Sequence, residues 1–139
     1  MKIRLFIIFI LIILQTSAFA KSKYFQEGIN LFEKNKFDEA KFKFEQDIVL
    51  NRKNELSYLY LSKIFKKINE NNLEEENLNT VILLNPKNEE AVYNLAKLKL
   101  STSDYKKSNQ LNEKLKSICV NFCSKSDKLK IEIQNLLKK

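Results

Sequence analysis

Cys119 and Cys123 are the only cysteines of this chain, and it has no histidine. Without histidine, the commonest general base and the commonest transition-metal ligand are both missing. Two thiols at this spacing can form an internal disulfide, stay free, or bridge two molecules. Along a continuous helix their Cβ atoms would lie too far apart, so an internal bridge requires the helix to end or bend between them. The spacing is C-x3-C, not the C-x-x-C of redox pairs, and two cysteines without histidine make a poor zinc site. Glu74, Glu75 and Glu76 are consecutive, as are Glu89 and Glu90. Adjacent carboxylates on a helix point in different directions and make poor acid–base pairs; near helix starts they complement the helix dipole. Gly28 is the only glycine, which excludes a phosphate-cradling loop, and there is no G-x-S-x-G nucleophile turn. No catalytic residue, cofactor or metal set is assigned, and the expectation is a protein that is not an enzyme.

The elements that position these residues read as helices. One glycine and one proline in 139 residues leave turns to Asn, Asp, Ser and Lys. Leu31 and Phe32, then Phe37, Ala40, Phe44 and Ile48, recur at helical steps on either side of Asn35-Lys36. Leu56 to Ile68, Leu73 to Leu84, Ala91 to Leu100, Tyr105 to Ile118 and a last stretch to Leu137 continue the pattern. No stretch alternates convincingly as a strand. Asn54 and Asn88 are placed to cap the helices that follow them, and Pro86 stops the helix before it. Leu50-Asn51 returns as Leu84-Asn85, a period of about 34 residues. Helices of this length with short turns pack as antiparallel neighbours, and single pairs bury too little, so the pairs must stack.

The first twenty residues stand apart. Lys2 and Arg4 precede the apolar run Leu5 to Leu14, and Ala18-Phe19-Ala20 forms a small-x-small site. This layout predicts a signal peptide over 1–20, cut before Lys21, and an exported, periplasmic or secreted product; an uncleaved membrane anchor is the minor alternative. The run is shorter than the roughly 20 residues needed to span a bilayer. The full chain carries a formal charge of +8, which admits contact with acidic partners or a membrane surface. The lysines are scattered and not interleaved with stacking aromatics, so nucleic acid is not an expected partner.

The register resembles the tetratricopeptide repeat family. Tyr24, Gly28, Leu31, Phe37, Ala40 and Phe44 stand at that family's aromatic, small and large positions. Tyr58, Leu61, Ser62, Phe65, Val81 and Pro86 do so in a second unit, and Leu95, Ala96, Tyr105 and Ser108 in a third. Asp47 and Glu74 depart from the pattern, since small residues are usual at both places. For Glu74 this suggests a second helix shifted or shortened by about two residues.

The resemblance implies an all-α, right-handed superhelical array of antiparallel helix pairs, a tetratricopeptide-like α-solenoid. Its repeats would be 21–54, 55–88 and 89–122, with a capping helix over 124–138. Gly28, Ala40, Ser62 and Ala96 would be the close-packing positions. The first helix of each pair would line a groove through Phe25, Ile29, Phe32, Leu59, Lys63, Lys67, Tyr93 and Lys97. The implied function is a non-catalytic scaffold or adaptor in the cell envelope that binds a protein or peptide segment there. The alternative is a basic surface protein engaging an anionic envelope polymer or lipid headgroups. Some relatives clamp a C-terminal carboxylate; Phe25 and Ile29 occupy the corresponding positions here, so that ligand does not carry over. A Cys119–Cys123 bridge would staple the cap to the array.

Overall fold

The computed structural model describes residues 22–138. The expected signal segment lies outside them. Seven helices follow in order: α1 Lys23–Glu33, α2 Phe37–Leu50, α3 Glu55–Lys67, α4 Asn71–Leu84, α5 Glu89–Ser101, α6 Tyr105–Ile118 and α7 Cys123–Leu137. No strand occurs among the described residues, and no helix there is long and apolar enough to cross a membrane. Helices α1 and α2, α3 and α4, and α5 and α6 pair; each pair packs on the next, and α7 closes the far end against α6 and α5. The molecule is an α-solenoid.

Each pair reverses through one left-handed residue: Asn35 (φ 58°), Asn69 (φ 60°) and Ser103 (φ 64°). Around each, the chain makes the same two bonds. At Asn35 they are Lys36 N to Leu31 O at 2.9 Å and Asn35 N to Phe32 O at 2.9 Å. At Asn69 they are Glu70 N to Phe65 O and Asn69 N to Lys66 O; at Ser103, Asp104 N to Lys99 O and Ser103 N to Leu100 O. These close the orphan carbonyls of the finished helix, a task usually given to glycine. Asparagine tolerates the left-handed region because its short amide can bond locally. Gly28 is thereby left free for packing.

The starts of the helices are set by side chains. Ser22 accepts from Phe25 N, Asn54 from Leu56 N, Asn88 from Ala91 N and Asp104 from Lys107 N. Helix α4 runs over Asn71–Leu84, in full register with α2 at Phe37–Leu50. The expected shift or shortening around Glu74 does not occur. The turn at Asn69 and the helix end at Asn85 set the register, and Glu74 is carried into the interior.

The core has two parts. Phe25, Ala40, Phe44, Leu61, Ile64 and Phe65 join α1, α2 and α3. A larger group, including Leu78, Val81, Val92, Leu95, Leu115, Leu129 and Ile133, runs from α3 to α7. Ala40 and Ala96 are fully buried and Ser62 nearly so. A Cβ built on Gly28 would lie 2.7 Å from Phe44 Cε1 and 2.9 Å from Cδ1. The Phe44 ring is itself stacked on Tyr60, with centroids 5.0 Å apart and planes at 17°, so it has little room to retreat.

Gly28→Ala therefore sets two effects against each other. Helix propensity favours alanine by about 1 kcal/mol. Overpacking a rigid aromatic costs about 1–3 kcal/mol. The variant is expected to be net destabilised, with a lower chemical-denaturation midpoint at unchanged m-value.

Candidate partner-binding face

Helices α1, α3 and α5, the first members of the pairs, are joined by side chains along one face. Tyr60 of α3 is the hub at the α1 end. Its ring lies 5.2 Å from Phe32 and 6.0 Å from Phe25, both edge-on. Phe32 also meets Phe37 at 5.5 Å. Lys63 sits 5.0 Å over the Tyr60 ring and pairs with Glu90 of α5 at 2.9 Å. Lys97 of α5 pairs with Glu132 of α7 at 2.6 Å. Tyr93 packs edge-on against Phe122 at 5.7 Å, and Lys125 covers Phe122 at 3.8 Å.

The residues expected on the groove thus divide. Phe25 is 1% exposed and Leu59 4% exposed; both are part of the core and present no surface to a partner. Ile29 and Phe32 are half-buried, with Ile29 packed against the first core. Lys63, Tyr93 and Lys97 are half-buried and already bonded to neighbouring helices. Lys67 and its neighbour Lys66 are exposed and form no ion pair among the described residues. Ile29 and Phe32 are thus half-buried apolar side chains, Lys67 is an exposed charge without an ion pair, and Lys66 is an exposed charge that acts on Glu74. Tyr60 was not singled out by periodicity; its one sequence signal is an aromatic ring between two core positions, Leu59 and Leu61.

The two departures from the repeat pattern behave differently. Asp47 is fully buried and well supplied. Ser22 and Ser57 hydroxyls donate to its carboxylate, and Asn54 Nδ2 does so at 2.6 Å. It therefore joins the cap of α1, the body of α2 and the cap of α3. Glu74 is 3% exposed. No donor among the described residues lies within hydrogen-bond or ion-pair distance of its carboxyl group. Burial pushes its pKa above the ordinary 4.5, and the nearby Lys66 charge opposes the shift.

Of the other acidic residues in these runs, Glu75, Glu89 and Glu90 tie elements together and do more than complement dipoles, whereas Glu76 makes no such tie among the described residues. Glu75 pairs with Lys99 at 2.6 Å, and Glu90 with Lys63. Glu89 accepts from the Phe122 and Asn121 N–H groups at 2.7 and 2.9 Å. Desolvation works to raise the Glu89 pKa, but the N–H groups of Phe122, Val120 and Asn121 prevail and hold it below the ordinary value. Glu55, one repeat earlier, accepts from Asn85 Nδ2 at 2.6 Å.

Cys119 and Cys123 are disulfide-bonded, with Cα atoms 5.3 Å apart. Helix α6 ends at Ile118, Cys119 is extended, and α7 starts at Cys123. The pair closes the junction that Asn85 and Glu89 occupy one repeat earlier. Phe122 stands where Asn54 and Asn88 cap their helices and makes no such side-chain bond. The covalent tie takes over a junction that lacks an asparagine cap. No cluster of three or more His, Cys, Asp or Glu residues suited to a metal occurs among the described residues.

These features define a tetratricopeptide-repeat fold of about three units with a capping helix. No family model and no curated protein matches the sequence. Solved structures match the fold. The Yersinia enterocolitica type III secretion chaperone SycD, in complex with a peptide of the translocator YopD, superposes with a TM-score of 0.76 at 14% identity, covering 90% of this chain and 99% of that one. The first such domain of Spaghetti (RPAP3), bound to the HSP90 peptide SRMEEVD, gives 0.75 at 15% identity, covering 84% and 91%. The yeast Sti1 TPR2B domain in an Hsp70 complex gives 0.75 at 14%, covering 83% and 99%. At these identities the likeness is one of fold.

The unpartnered Glu74 carboxyl yields a signed prediction. Well below 4.5 it is protonated in both folded and unfolded chains. As pH rises past 4.5 the unfolded chain ionises first, so folding loses stability until the raised native pKa is passed. Glu74→Ala removes that penalty and is expected to stabilise the chain by about 1 kcal/mol at pH 7. The gain should shrink as the pH falls below 4.5. Denaturation midpoints of both proteins across that range check it.

Proposed function

We propose that this chain is a non-catalytic protein-interaction scaffold that binds an extended or helical partner segment along α1, α3 and α5. The observation that carries the reading is a fold shared with domains solved with partners: an HSP90 peptide, a translocator peptide and, for Sti1, an Hsp70 complex. The arrangement of this face supports it. Ile29 and Phe32 supply apolar anchorage, while Lys66 and Lys67 supply exposed positive charge not engaged in a contact ion pair among the described residues. That pattern suits a segment with an apolar anchor and an acidic residue. A second reading, binding to an anionic polymer or lipid surface, draws on the same two lysines and on the net charge, +8 for the full chain and +6 once Lys2 and Arg4 are removed.

Photo-crosslinkers placed at Ile29 and Lys67 are expected to capture one partner, and placed at Phe42 and Leu83, exposed on α2 and α4, to capture none. Lys66→Glu with Lys67→Glu should weaken capture about tenfold, a loss of about 1.4 kcal/mol. Capture only from Phe42 or Leu83 would contradict the reading. Binding that vanishes as ionic strength rises, with Ile29→Ser harmless, would favour the charged-surface alternative, because screening lengths fall with salt.

We further propose that the scaffold works in the cell envelope after export, periplasmic or secreted, with residues 1–20 removed. Support comes from the basic, apolar and small-residue layout of that segment and from the disulfide, which suits an oxidising compartment. Intact mass of the native protein should correspond to a chain starting at Lys21 with two fewer hydrogens than the dithiol form. A native chain that keeps Met1 and both thiols would contradict it.

A further inference from the structure

A cavity of about 290 Å³ opens where the ends of α3 and α5 meet the start of α4. Lys66, Asn69, Asn71, Glu74, Lys97, Leu98 and Ser101 line it. The corresponding place in the other two pairs holds a small residue. Ala40 is fully buried in the first, and Ser108 in the third, where its hydroxyl donates to Ala96 O at 2.9 Å. In the second pair a carboxyl group stands there, nearly buried and without a donor.

Glu74 is not a sealed polar atom of the kind that Gln46 Oε1 is; its carboxyl group keeps its solvent contact through this cavity. Most of the residue is nonetheless withdrawn from water, which disfavours the charged form. Asp47, the other buried carboxylate, has three donors of its own. A water occupies about 30 Å³ of liquid, so the space beside Glu74 is several times what one bridging water needs.

We propose that this cavity receives a lysine or arginine side chain from a partner segment lying on α3 and α5, with its charged head on the Glu74 carboxyl. The proposal rests on the scaffold reading above and supplies the partner's chemistry. Neighbouring cations leave room for it. Lys97 is held by Glu132 at 2.6 Å, and Lys99 by Glu75 at 2.6 Å. Leu98 gives an apolar wall for the methylene stem. Asn69, Asn71 and Ser101 offer further oxygen acceptors for a multi-donor head. Lys66 also lines the cavity; it forms no contact ion pair, but its charge already acts on Glu74. That charge lowers the affinity for a lone cation without abolishing it, and it favours a segment whose basic residue is flanked by an acidic one. An anionic group would be repelled by the Glu74 carboxylate, and a neutral donor would add no opposite charge to it.

The test uses the purified full-length chain with side-chain carboxyl ¹³C NMR of glutamate, and n-butylammonium and propylguanidinium chloride as probes. Both should shift the Glu74 resonance saturably and move its titration midpoint down towards the ordinary carboxylate range. Butanol and sodium butyrate should do neither. Glu74→Gln should abolish saturable cation binding seen by the resonances of Ser101 and Leu98. If that variant does not fold, Glu74→Ala, which carries the residue of the first pair, serves instead. A Glu74 resonance that responds equally to butanol, or not at all, overturns the proposal, as does unchanged cation binding in the variant. The titration requires no partner, so it stands or falls separately from crosslinking at Ile29 and Lys67. Crosslinks without cation binding would sink the pocket alone.

Discussion

The reversal of the chain through a single left-handed residue every repeat is the constraint on which the rest depends. Asn35, Asn69 and Ser103 each let a helix finish and turn back within three residues. The same pair of backbone bonds forms at each. Once that geometry is fixed, the second helix of each pair has one register against the first. Side chains then land where the register puts them, small or not. Ala40 and Ser108 fit the close approach. Glu74 does not fit it by size or charge, yet it occupies the same place, because no single side chain outweighs a hydrogen-bonded turn and a stacked helix pair.

The junctions between pairs are built less uniformly. In the first, Asp47 gathers Ser22, Asn54 and Ser57. In the second, Asn85 bonds Glu55, and Asn88 caps the next helix. In the third, a disulfide and two backbone N–H groups on Glu89 replace these side chains. Each solution ties the end of one pair to the start of the next. A stack of this kind is stabilised by its interfaces between neighbours, since each pair alone buries too little. The covalent tie falls where the last helix has neighbours on one side only.

The period, the helix caps and the all-α array were legible in the residues because they depend on local chemistry: Asn before a helix, Pro after one, apolar side chains at steps of three and four. The direction of individual side chains was less so. Phe25 and Leu59 satisfy the spacing of a groove face, but α1 and α3 are packed from more than one side, and helical periodicity cannot say which neighbour claims a given ring. Tyr60 was passed over for the same reason. Glu74 read as evidence for a shifted helix, since a carboxyl group at a small-residue position argues against the register. The spacing of the cysteines is compatible with several outcomes; the break between Ile118 and Cys123 is what lets them meet.

The face along α1, α3 and α5 carries the proposed function, because it combines half-buried apolar side chains with exposed lysines that form no contact ion pair. Hydrogen–deuterium exchange of the chain with and without its crosslink-identified partner tests that claim most directly. The account predicts new protection in 23–33, 55–67 and 89–101, with the outer helices 37–50 and 71–84 protected only near Asn71 and Glu74. Protection confined to the exposed surfaces of Phe42, Val49 and Leu83 would contradict it.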